Sequence, residues 1–62
     1  MILTEEDKAV LAHVVADPVA WFNHAMLTVG ESAVGAKVDK YRAEYLAQKD
    51  LPGYQTRAER EA

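Results

Sequence analysis

A chain of 62 residues with a formal net charge of −3 and no cysteine is one domain at most. The lack of cysteine excludes a disulfide framework and a cysteine-ligated zinc site, and it agrees with a reducing compartment. Residues 1–17 carry Glu5, Glu6, Asp7 and Asp17 against Lys8, while the remainder carries six charges of each sign, so the chain lacks the broadly basic surface of a general nucleic-acid binder.

Hydrophobic residues make up 50% of the chain, but eleven of them are alanine, which favours helix and adds little core volume. Burying apolar surface at ~25 cal/mol per Å² and ordering the chain at ~1.5 kcal/mol per residue give opposing terms of about 90 kcal/mol each. With no disulfide or metal cluster to close that narrow margin, self-association or a protein partner is the expected further source of stability.

Thr4-Glu5-Glu6-Asp7 opens the first helix. The threonine accepts from an otherwise unpaired N–H, and three acids sit where the helix dipole favours negative charge. The same acids interrupt any amino-terminal apolar run, so no signal peptide and no membrane span are expected. Val10, Leu11, Val14 and Val15 recur at helical spacing and predict a helix over 5–16, with Lys8 and His13 elsewhere on the wheel.

Asp17-Pro18 punctuates the chain, because the residue before proline is pushed out of the helical region while proline suits the first helical position. Asp17 is the natural cap of a second helix over 18–29, with Trp21, Phe22, Ala25, Met26 and Val29 on an aromatic-rich face. Gly30 fits the left-handed residue that closes it.

Val34, Val38, Tyr41 and Tyr45 step by four, three and four along a third helix over 31–50, the spacing of a packing seam. Lys40 and Glu44 stand at ion-pair spacing on it. At 1.5 Å per residue this helix spans roughly 30 Å, longer than either of the others. Leu51-Pro52-Gly53 stops it, and in the polar tail 54–62 the capping-box spacing of Thr56 and Glu59 predicts one short helical turn. No stretch alternates as a half-buried strand does. The predicted architecture is all-α: a helical hairpin and a long third helix in a domain over 1–53, then the tail.

Three patterns have the look of chemistry. Gly30-Glu31-Ser32-Ala33-Val34-Gly35-Ala36-Lys37 has the glycines of a phosphate-binding loop. Ala36 displaces the lysine by one, however, Val38 stands where a magnesium-binding hydroxyl is needed, and no strand precedes it. A helix cap at Gly30 and a close helix contact at Gly35 are the expected roles. His13, Asp17 and His24 supply metal-ligand chemistry without metal-ligand spacing; His13 is expected on a polar face and His24 half-buried beside Trp21. Ser32 lacks the turn of a nucleophile elbow and belongs in the first turn of helix three. No catalytic, cofactor-binding or metal residue is therefore assigned, no cofactor is implied, and the chain is read as not an enzyme.

Lys37, Lys40, Arg42 and Lys49 lie among Tyr41 and Tyr45, but Asp39, Glu44 and Asp50 interrupt them and break the single-sign stripe that phosphate binding requires. Trp21, Phe22 and Met26 are the heaviest apolar group, and two readings stand for it: core packing, or an exposed anchor in an interface, where aromatics carry much of the binding energy. Together with Tyr41, Tyr45 and Tyr54 they form the expected protein-binding set.

Asp17-Pro18-Val19-Ala20-Trp21, His24-Ala25, Gly30-Glu31, Lys37-Val38 with Tyr41 and Tyr45, and Tyr54-Gln55-Thr56-Arg57-Ala58-Glu59-Arg60 run over residues 17–60. In these features the chain resembles the small uncharacterised proteins encoded by tailed bacteriophages and prophages. The resemblance implies a phage context, in the host cytoplasm or the virion, and transfers no functional residue. The expected function is that of a non-enzymatic accessory protein acting through contact with itself or with a phage or host protein, as an oligomer, with no membrane partner. A small nucleic-acid-binding regulator is the alternative, weakened by the absence of any lysine or arginine between residues 9 and 36.

Overall fold

In the computed structural model, which describes residues 2–62, four helices follow one another: α1 (Glu5–Ala12), α2 (Pro18–Thr28), α3 (Gly30–Gln48) and the short α4 (Arg57–Glu61). Among the described residues there is no strand, and the architecture is all-α. Each start follows from local chemistry. The Thr4 hydroxyl accepts from the Asp7 N–H at 3.1 Å while the Asp7 carboxylate accepts from the Thr4 N–H at 3.2 Å, a reciprocal cap. Asp17 accepts from the Ala20 N–H at 3.1 Å with Pro18 in the first turn. Thr56 and Glu59 repeat the reciprocal cap on α4.

Helix α1 ends at Ala12 and not at residue 16. The N–H groups of Val14 and Val15 both turn back onto the Leu11 carbonyl, at 3.0 and 2.8 Å, which tightens the last turn and closes the helix. Val14 and Val15 pass through the corner half-buried. Between α2 and α3 the chain turns at Gly30, whose φ of +86° lies in the left-handed region. Val29, expected on the aromatic-rich face of α2, is half exposed just past the end of the helix at Thr28.

The core is a junction of three helices: Val10 and Leu11 from α1, Phe22 and Ala25 from α2, and Val34 and Val38 from α3. The last two begin the predicted seam, which Tyr41 and Tyr45 continue as half-buried side chains packed against the same cluster. Gly35 makes no close helix contact, since a Cβ there would meet nothing within 4 Å. Lys40 and Glu44 form no ion pair in the described structure. Arg42 instead donates to Glu6 at 3.2 Å, Asp39 at 2.9 Å and Asp7 at 2.5 Å, tying α3 to the start of α1. Asp7 is buried, so its charge is held by this guanidinium and by the Thr4 cap.

Residues 54–62 close over the far end of α1. The Arg60 guanidinium donates to the His13 carbonyl and Arg57 donates to the Val14 carbonyl at 3.4 Å. The last turn of α1 has no basic residue of its own. The two arginines bring positive charge to carbonyls just past its negative end, at the cap residue His13 and at Val14.

Candidate functional site

The six aromatic and methionine residues expected to bind protein fall into two groups, and both face largely inward. Phe22 is in the core, and Trp21 and Met26 are half-buried against it. Trp21 meets Tyr41 edge-on, with ring centroids 6.3 Å apart. At the other end, Tyr54 stacks on His13 with centroids 5.7 Å apart, and Tyr45 packs edge-on to both rings.

The two histidines are placed opposite to the sequence expectation. His13 is buried at 5% exposure and its Nδ1 shares a hydrogen bond of 3.1 Å with the Tyr54 hydroxyl, whereas His24 is exposed on the outside of α2. The reason is the tail, which covers an imidazole that the first helix alone leaves open. Burial raises the Tyr54 phenol above its ordinary pKa, with Tyr45 and Glu59 adding to the shift and Arg60 opposing it. Hydrogen bonds from the Thr56 backbone and side chain hold Glu59 below the usual carboxylate range.

His13, Asp17 and His24 are not brought together: one is buried under Tyr54, one caps α2 and one faces outward. Among the described residues no three histidine, cysteine, aspartate or glutamate side chains gather as a cation site. The glycine-rich stretch from Gly30 to Lys37 forms the first two turns of α3, with Ser32 exposed in the first of them. A recess of about 240 Å³ lies between the end of α3 and the tail, lined by Gln48, Leu51, Tyr54 and Arg60 among others.

The surface least like an ordinary solvated face is on α2. Its eleven residues include no aspartate, glutamate, lysine or arginine. Phe22 and Ala25 turn inward, and Val19, Ala20, Asn23, His24, Leu27 and Thr28 are exposed. Leu27 is 88% exposed and Val19 47%, with Val29 at 50% just beyond the helix. Val19, Asn23 and Leu27 are spaced by four and form one ridge; Ala20, His24 and Thr28 form the next. Isolated apolar residues on a surface are ordinary, but a helical face that bears two exposed aliphatic side chains and no aspartate, glutamate, lysine or arginine is a candidate contact surface.

The spacing that sets Trp21, Phe22, Ala25 and Met26 on one face of α2 leaves Leu27 off that face, but the sequence reading did not single Leu27 out. The available signal was the absence of charge from an entire helix. Leu46 and Leu51 are also exposed, at 53% and 56%, near the end of α3.

Comparison with protein-family models, curated proteins and solved structures returns no significant match. Among the described residues, no helix is long and apolar enough to cross a membrane.

Proposed function

We propose that this chain is a non-enzymatic phage or prophage accessory protein that acts by binding protein, as an assembly or virion component or as a modulator of a host protein, in the host cytoplasm or the virion. The observation that carries the binding part is the outer face of α2, where Leu27 stands 88% exposed on a helix with no aspartate, glutamate, lysine or arginine. The phage context rests on the resemblance over residues 17–60. We place the contact on Val19, Asn23 and Leu27; of the expected set, Trp21, Phe22, Met26 and Tyr41 pack on or beside the inner side of α2, while Tyr45 and Tyr54 lie at the other end against His13. A nucleic-acid role is not favoured, since Arg42 is engaged by Glu6, Asp7 and Asp39 rather than presented outward.

The test is affinity capture with tagged chain from phage-infected or lysogenic cells, comparing wild type with Leu27→Glu. The reading predicts a stoichiometric protein partner, a second copy of the chain included, that the variant loses while its helical circular dichroism is unchanged. Equal recovery by both forms, or none by either together with a strictly monomeric protein, contradicts it.

A further inference from the structure

We propose that the outer face of α2 pairs with the same face of a second copy, the two helices crossing antiparallel about a two-fold axis at Asn23. The inference rests on the protein-binding reading above and specifies the partner.

Three observations support a second copy rather than an unrelated protein. The first is the order along the ridge. Val19, Asn23 and Leu27 are all exposed and spaced by four. An antiparallel crossing centred on Asn23 sets Val19 of each chain against Leu27 of the other and places the two Asn23 amides side by side. A carboxamide carries both a donor and an acceptor, so two of them related by a two-fold axis satisfy each other. A polar amide between two aliphatic positions also fixes register and orientation, as a single buried asparagine does in paired helices.

The second observation is charge. Each chain carries a net charge of −3, so two copies repel in most orientations. Helix α2 has no aspartate, glutamate, lysine or arginine, so apposing it with its copy brings no carboxylates, ammonium groups or guanidinium groups together on the helix itself, and His24 lies on the neighbouring ridge rather than on the axis. Ala20, exposed on the neighbouring ridge, is small enough for the two helices to approach closely.

The third is area. Val19, Ala20, Asn23, His24, Leu27, Thr28 and Val29 are exposed, and at about 70 Å² each they offer at most about 500 Å² per chain and about 1,000 Å² for the pair, a ceiling that reaches only the lower bound for a specific interface. That is roughly an eighth of the 4114 Å² surface of one chain, the share a standard interface takes from a small protein. An interface at that bound is weak, so a dissociation constant on the order of 10–100 μM is expected.

The chain has no cysteine, so a single introduced thiol reports on this geometry without background. Asn23→Cys in the full chain places two thiols at the axis, and Ala36→Cys places one on the exposed side of α3 as a control. Under mild oxidation at about 50 μM, near the expected dissociation constant, Asn23→Cys is expected to form covalent dimer at least about 10-fold faster than the control. Sedimentation equilibrium of the wild type is expected to show the mass of two chains at high concentration and 6.9 kDa on dilution, with Leu27→Glu at least about 100-fold weaker because the side chain is lost twice per dimer.

Equal oxidation rates for the two cysteine variants overturn the proposal, as does a wild type that remains monomeric at several hundred micromolar. Either result leaves the broader reading to the capture experiment: a partner of different sequence, lost with Leu27→Glu, refutes self-pairing while preserving protein binding.

Discussion

Replacing Arg42 with methionine removes the cation from a buried carboxylate while retaining most of the side chain's packing volume. Asp7 is 5% exposed and its Oδ1 receives the Arg42 guanidinium at 2.5 Å; its Oδ2 retains the Thr4 N–H. Breaking a buried pair by deleting one partner costs about 3–5 kcal/mol; the Arg42 side chain is 32% exposed and the Thr4 cap survives, which together place Arg42→Met at the lower end, about 3 kcal/mol. A domain of this size has a total stability of roughly 3–9 kcal/mol, so the substitution removes a third or more of it. With a urea slope near 1 kcal/mol/M, the midpoint falls by about 3 M, and the melting temperature drops by more than ~10 °C. Urea titration followed by Trp21 fluorescence and far-UV circular dichroism measures it. Asp7→Asn with Arg42→Met recovers at least about 1.5 kcal/mol of the loss, because the uncompensated charge is gone. A single substitution within about 0.5 kcal/mol of wild type, or a cycle with no coupling, refutes the claim that Arg42 neutralises Asp7 in the folded chain.

The two glycines of α3 have opposite predicted effects. Gly30→Ala is destabilising by about 1–2 kcal/mol because the residue sits at φ +86°, whereas Gly35→Ala, in an open helical position, is stabilising by about 0.5–1 kcal/mol; thermal melts of the pair check both signs. Tyr54→Phe withdraws the hydroxyl from the buried His13 Nδ1 and is expected to cost about 1–3 kcal/mol in urea titrations. The raised pKa of Tyr54 has a definite sign: the docked phenol holds its proton more tightly than the free one. Its contribution is complete below the ordinary tyrosine range near ~10 and is lost as pH rises through the docked value. Amide hydrogen exchange in residues 54–62 is therefore expected to accelerate on alkalinisation relative to the core amides of α3, and a uniform response along the chain contradicts the docked tail.

Caps and turns were legible because their causes are local. Thr4, Asp17 ahead of Pro18, Gly30, and Thr56 with Glu59 each act on backbone within four residues, so the local sequence was enough to place them, whereas Asp7 was read only as an acid favoured by the helix dipole and not as Thr4's reciprocal partner. The seam of α3 was legible for a related reason, since Val34, Val38, Tyr41 and Tyr45 stand out against a charged background. What was not legible depended on distant partners. His13 reads as a polar-face residue until Tyr54, 41 positions later, lies over it, and Arg42 reads as a surface cation until Glu6 and Asp7 meet it across the fold. The end of α1 was placed too late because Val14 and Val15 continue the apolar spacing through a turn that the backbone has already closed at Leu11. The inner side of α2 was legible from Trp21, Phe22, Ala25 and Met26, but Val19 and Leu27 on the opposite side are themselves apolar, so nothing in the composition set that side apart as exposed.

The outer face of α2 is tested most directly by amide chemical shifts of the uniformly labelled full chain, recorded as it is diluted from about 1 mM to about 5 μM, a range that spans the expected dissociation constant. Dilution is predicted to move the resonances of Val19, Ala20, Asn23, His24, Leu27 and Thr28 along one saturable curve while those of Lys37 to Gln48 hold still. Shifts centred on the exposed side of α3, or a spectrum that does not change with concentration, would contradict it.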